Sequence, residues 1–180
     1  MKLHLFGAAG AGVTTLGRAL NTALGWPYFD TDDYFWLLTE PAYTQRRPPA
    51  ARNAQLAADL ASQRPGIVGG SIGGWGDEWF GAFDGAVFLW LPPALRLARL
   101  REREQQRYGP AIATELAQAA RTAAFLAWAA GYDDGSCGGT RTLASHERWL
   151  GAFTCPVLEL RGDLPVAARV AAVATFLRTL

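Results

Sequence analysis

Short apolar runs ending in glycine, proline or acid alternate along this chain with stretches whose apolar residues recur at helical spacing. KLHLF (2–6) is a short apolar run that stops at Gly7 and reads as a buried strand. TTLGRALNTALG (14–25) carries apolar residues at helical spacing and stops at Gly25, a helix end signal. WPYFDTDD (26–33) brings a second short strand that ends in acids. PPAARNAQLAADLASQR (48–64) reads as a helix with two prolines at its start. GIVGGSIGG (66–74) is a third strand running into glycines, and GAVFLWLP (85–92) a fourth, closed by proline. ALRLARLREREQQR (94–107) is a strongly patterned helix, CPVLELRG (155–162) a fifth strand and PVAARVAAVATFLRTL (165–180) a closing helix.

Five alternations of strand and helix imply an α/β fold, a five-stranded parallel sheet with helices on both faces. Ligands of such sheets bind beyond the carboxyl ends of the strands. The residues following strands one, two, three and five are therefore the informative ones. The segment from about 108 to 150 breaks the alternation and holds the loop GYDDGSCGGTRT. It reads as an insertion of the kind that forms lids, within one domain spanning 1–180.

Composition changes this picture in two places. Net charge is +1, so no global field points to nucleic acid or an anionic membrane. Lys2 is the only lysine, and the other 16 basic residues are arginines. Any cation required deep in a site must therefore be an arginine or a bound ion. Cys137 and Cys155 lie far apart without ligand spacing and are expected as free thiols. No run reaches the ~20 apolar residues of a membrane span. A soluble cytoplasmic protein is expected.

The stretch GAAGAGVTT (7–15) carries the densest chemical signal. It matches the phosphate-loop pattern G-x-x-x-x-G-K-[ST] at Gly7, Gly12 and Thr14, with Val13 where the pattern has lysine. Backbone N–H groups around Gly10 and Ala11 would face phosphate oxygens, and the following helix adds its positive end. Thr14 is the hydroxyl placed to reach magnesium, and Thr15 supplies the next oxygen. At ~4 Å and an effective dielectric near 20, the missing ammonium is worth about 4 kcal/mol of phosphate attraction. Binding can survive that loss more readily than transfer can. The rival reading is a dinucleotide-binding turn with Asp30 or Asp32 on the ribose, although G-x-G-x-x-G is not met.

Further candidates follow the other strands. Asp30, Asp32 and Asp33 crowd the end of the second strand, where a carboxylate can orient an acceptor hydroxyl and take its proton; for Asp32 and Asp33 the plain alternative is a solvated helix cap. Arg96, Arg99, Arg103 and Arg107 share one helical face. That row is either a solvated face or a phosphate clamp replacing the lysine, with Arg141 of the insertion closing over the same phosphates. Tyr34, Phe35, Trp36, Trp75 and Trp79 either pack the core or wall an acceptor pocket. His4 reads as a core histidine and His146 as an exposed one.

FGAAGAGVTTLGRAL, YFDTDDYFW and LPPALRLARLREREQQRYG together resemble the adenylate kinase and shikimate kinase group of small P-loop kinases, and among them the bacterial adenylate-kinase-like proteins with a G-x-x-G-x-G-V-T-T loop. The resemblance implies a three-layer P-loop NTPase fold with ATP and Mg2+ as cofactors. It implies Asp30 beside magnesium, Asp32 on the acceptor hydroxyl, and Gly69, Gly70 and Ser71 as the acceptor-side loop. Arg96, Arg99 and Arg103 become lid-leading arginines, and Gly162 and Asp163 the adenine-side loop. Val13 is the departure from the main kinases. The leading expectation is transfer of the γ-phosphoryl of ATP to a small molecule by a monomer or homodimer. A non-catalytic nucleotide sensor and an NAD(P)-binding Rossmann protein are the alternatives.

Overall fold

The computed structural model describes residues 1–180. Its sheet has five strands: β1 (Lys2–Gly7), β2 (Tyr28–Asp30), β3 (Gly66–Gly69), β4 (Gly85–Trp90) and β5 (Val157–Arg161). They lie in the order β2-β3-β1-β4-β5, and every pairing is parallel. A Rossmann sheet runs 3-2-1-4-5, with the second strand beside the first. Here β3 separates them, and the dinucleotide-binding reading falls with that order.

Alternation along the central strands sorts the core into two layers. Leu3 and Leu5 of β1 point to the face that also buries Ile67, Val87, Leu89 and Leu160. Leu16 and Leu20 of α1 (Val13–Leu24) and Val173 of α8 (Val166–Leu177) close that layer. Phe6 points the other way, with Val68, Ala86 and Phe88. That second layer is closed by Leu56 and Leu60 of α3 (Pro49–Ser62) and Trp149 of α7 (Leu143–Ala152). Strands covered on both faces explain why the sequence shows continuous apolar runs instead of alternation.

The expected strand–helix alternation fails between β3 and β4. Only a 3-10 turn, Asp77–Gly81, lies there. Trp75, Trp79 and Phe83 are buried from this connection and cover the sheet face with aromatic rings where a helix would have stood. The glycines at 69, 70, 73, 74 and 76 let the chain cross without one; Gly70, Gly74 and Gly76 all have positive φ.

Beyond β4 the chain forms α4 (Pro93–Tyr108), then α5 (Ala111–Thr114), α6 (Leu116–Ala130) and α7 before returning to β5. The short α2 (Thr31–Phe35) follows β2 directly. No helix is long and apolar enough to cross a membrane.

Candidate functional site

The turn from β1 to α1 is shaped by glycine. Gly10 and Gly12 have φ of 81° and 96°, in the left-handed region. A Cβ on Gly10 would come within 2.8 Å of the Arg96 carbonyl oxygen. Ala11 N–H folds back on the Ala8 carbonyl at 3.0 Å, and Leu16 N–H makes the first helical bond, to Gly12 at 2.9 Å. The N–H groups of Val13, Thr14 and Thr15 precede that bond and lack helical acceptors. Those of Ala9, Gly10 and Gly12 donate to no carbonyl either. No side chain caps α1 and no acid occupies its first turn. The result is a curl of unclaimed donors at a positive helix end, suited to an anion.

A cleft of about 700 Å³ opens over this curl, at the carboxyl ends of the strands. Six arginines line it: Arg18, Arg99, Arg103, Arg107, Arg141 and Arg169. Asp30 and Asp32 are its carboxylates. This imbalance is local, since the whole chain is close to neutral.

Asp30 ends β2 and is held on both oxygens. Thr14 Oγ1 and Tyr28 OH donate to Oδ2 at 3.0 and 3.1 Å, and Asp32 N–H donates to Oδ1 at 3.1 Å. Burial and the Asp30 charge push the Tyr28 phenol up, so it keeps its proton as a donor. Asp30 is therefore the cap of α2, the role considered for its neighbours Asp32 and Asp33. The Thr14 hydroxyl and Asp30 carboxylate together offer oxygen ligands beside the phosphate curl. Mg2+ is held by one or two such groups plus phosphates, so the pair fits it. No cluster of three or more His, Cys, Asp or Glu side chains that could hold a metal exists anywhere in the chain.

Asp32 opens onto the cleft. Crowding by surrounding protein and the Asp30 charge raise its carboxyl above the ordinary range, while Arg141 and Arg103 oppose the shift. Asp33 lies off the cleft wall. Gly70 and Ser71 line the cleft, and the Ser71 Oγ is buried without a partner. Gly69 is buried in β3 against the Tyr28 ring and does not reach the cleft.

Besides Gly69 and Asp33, expected at the acceptor and absent from the cleft lining, three more residues depart from expectation. Arg96 does not face the cleft. It is fully buried, ion-paired with Asp133, and donates to the carbonyls of Leu91 (3.3 Å), Ala9 (3.5 Å) and Ala129 (3.4 Å). Arg96 shares a helical face with Arg99, Arg103 and Arg107, but it lies where α4 meets the core. Trp75 is likewise buried, with the Arg52 guanidinium 4.3 Å above its ring, and walls no acceptor pocket. His146 is not exposed: it is 1% accessible, ringed by Phe6, Phe88 and Trp149. Burial and Arg141 depress it to about 4. Burial also takes His4 down to about 3, with only Nδ1 near a partner, the Val68 carbonyl at 3.3 Å.

The remaining candidates divide. Gly7, Gly10, Gly12, Val13, Thr14, Thr15, Arg99, Arg103 and Arg141 line the cleft. Ala11 is buried beneath the curl, and Val13 also packs against the α1–α8 layer. Gly162 and Asp163 sit at the rim, where Asp163 pairs with Arg99 at 2.6 Å. Glu104, buried beside Arg103 at 3.2 Å, partly offsets that cation. Sequence reading missed Arg169 and the cleft-lining role of His146. Arg169 sits in an alanine- and valine-rich closing helix, and its partner in the curl, Ala11, is 158 positions away in the chain.

No family model matches the chain. Over 176 residues it is 39% identical to the uncharacterized protein YqaC of Bacillus subtilis (strain 168), covering 98% of this chain and 97% of that one. This chain belongs to the YqaC family. Solved structures place this YqaC-family member among small P-loop kinase folds. Shikimate kinase from Bacteroides thetaiotaomicron superposes with TM-score 0.57 at 20% identity, covering 99% of this chain and 98% of that one. Shikimate kinase from Acinetobacter baumannii gives 0.56 at 18%, covering 99% and 93%. Deoxyadenosine kinase from M. mycoides with bound dATP gives 0.56 at 14%, covering 99% and 100%. At these identities the likeness is one of fold.

Proposed function

We propose that this YqaC-family protein is a phosphotransferase that binds ATP with Mg2+ in the cleft and passes the γ-phosphoryl to a small-molecule acceptor. The observation that carries the reading is the Thr14–Asp30 contact, 3.0 Å, at the foot of an uncapped helix facing the arginines. A phosphate curl, a metal-fit oxygen pair and an excess of cations there occupy one space.

The roles follow from position. The curl from Gly7 to Thr15 holds the phosphates through main-chain N–H groups. Thr14 and Asp30 hold Mg2+, which when bound neutralises charge on the phosphoryl oxygens. Asp32 orients the acceptor hydroxyl and takes its proton while the oxygen bonds to the γ-phosphorus and the bond to the β-phosphate oxygen breaks, leaving ADP. Gly70 and Ser71 bound the acceptor end. Arg99, Arg103 and Arg141 neutralise the transferring group, with Arg141 carried by the inserted helices acting as a lid.

Val13 supports a second reading, a nucleotide-binding sensor without turnover, because an apolar side chain starts α1 where the loop pattern has its ammonium group. Calorimetric titration with ATP, ADP and NAD, with and without magnesium, followed by a phosphotransfer assay on a panel of hydroxylated metabolites, separates the readings. Magnesium-dependent ATP binding with transfer is the expected result. Tight ATP binding without transfer favours the sensor, and magnesium-independent NAD binding removes both.

A further inference from the structure

Three arginines of this protein are buried, and two have their charge answered. Arg96 pairs with Asp133. Arg52 lies over the rings of Trp75, at 4.3 Å, and Phe35, at 5.4 Å. Arg169 of α8 has neither a carboxylate nor a ring. It is 4% exposed, donates from Nη1 to the Ala11 carbonyl at 2.9 Å and from Nη2 to the Gly162 carbonyl at 3.3 Å, and its Nε–H has no partner. The nearer charges do not settle it, because Arg99 opposes its ionised form while Asp163 is occupied with Arg99. A buried guanidinium stays charged and is costly without a counter-ion.

Its position supplies the missing partner. A Cβ on Gly12 would lie 3.0 Å from Arg169 Nη1, so the guanidinium adjoins the last glycine of the curl. Arg169 also lines the cleft. We infer that Arg169 is the cation that replaces the absent loop lysine, with the phosphate chain of the bound nucleotide as its counter-ion. The inference rests on the phosphate-site reading above. Because Arg169 stands at the end of the curl and not on the α4 row, its contact is with a phosphate shared by ATP and ADP. Its two carbonyl contacts fix the fork between the phosphate curl and the β5–α8 loop, so the charge is in place before the ligand arrives.

The test is calorimetric titration of inorganic tripolyphosphate and ADP into the full chain, with thermal melts of each variant. Arg169→Met is expected to weaken both ligands roughly 10- to 100-fold, the loss of one charged hydrogen-bonding partner. Arg169→Lys is expected to lose less affinity than Arg169→Met, since the charge remains although the two-carbonyl fork is lost. Val13→Lys is expected to recover most of the loss in the Arg169→Met background and to gain little in the wild type, because the two cations answer one anion. Equal affinity of Arg169→Met and wild type, or the same Val13→Lys gain in both backgrounds, makes Arg169 a structural tie only. Wild-type protein that binds neither ligand overturns the phosphate site as well. Should Arg169→Met fail to fold, the Arg169 Nε–H resonance of the wild type must shift as tripolyphosphate is added, and an unmoved resonance overturns the assignment.

Discussion

Asp32 stands between opposing fields. Crowding and Asp30 raise its carboxyl, and Arg141 and Arg103 pull it down without cancelling the shift. The folded protein thus holds this proton more tightly than the unfolded chain does. The ionised carboxylate costs stability at neutral pH, and the cost is relieved as pH falls through the folded value. Asp32→Asn should therefore lower phosphoryl transfer at least ~100-fold while raising the melting temperature at pH 7. A melting temperature that drops would show Asp32 to be a structural cap. The acid limb of kcat/KM should lie above the usual aspartate pKa of about 3.9. Arg99→Ala and Arg103→Ala are expected to weaken ATP more than ADP, by roughly tenfold or more, if they grip the terminal phosphate. Equal weakening in a paired titration counts against that clamp. Spacing in the sequence carried the curl, the Asp30 cluster and the arginine row. It did not carry which arginine turns inward, because Arg96 and Arg99 differ only by where neighbouring elements close over α4.

At the scale of elements, the insertion is anchored from inside. Arg96 joins α4 to the phosphate curl through Ala9, to α6 through Ala129, and to the turn after α6 through Asp133. Trp90 Nε1 donates to the same Asp133 at 3.3 Å. The root of α6 is thus fixed, while α7 is held by its own aromatic packing around His146. Tyr132 OH is hydrogen-bonded to His146 Nδ1 at 2.8 Å and keeps its proton, since burial raises the phenol. With His146 down at about 4 in the folded state and near 6.5 unfolded, the unfolded chain takes the proton first as pH falls. His146 alone should lower stability by on the order of 3 kcal/mol between about pH 6.5 and 4, with His4 adding to the fall over the same range. His146→Gln should remove about half of the slope in that part of a denaturation series and leave the fall due to His4, which begins over the same range and continues to about pH 3. A wild-type series that is flat over this range would show that burial holds neither histidine below its ordinary value. The sequence showed the strands as short continuous apolar runs and most helices by their period. It placed His146 outside because α7 is short and its partners, β1 and β4, are distant in the chain.

For the whole molecule, the parallel sheet sends every functional candidate to one end. The curl, Asp30, Ser71 and the β5–α8 loop all follow strand ends, and the insertion roofs them with Phe125, Trp128 and Arg141. Hydrogen exchange with and without ATP and magnesium should show new protection in α5, α6 and the loop around Arg141, with β1, β3 and β4 unchanged. Protection confined to the curl would mean that the insertion is a fixed wall. This end-to-end polarity was legible from the residues that follow each strand. The strand order was not, because nothing in a run of buried valines and leucines names its neighbour.

Lys2, by contrast, begins β1, and its N–H is tied to Asp84 at 2.6 Å at the opposite pole. The molecule therefore carries its one ε-amine as far from the cleft as the sheet allows. Coupling chemistry aimed at lysine would tether each copy by its base and leave the arginine-lined mouth facing the solution, ready for titration on a sensor surface.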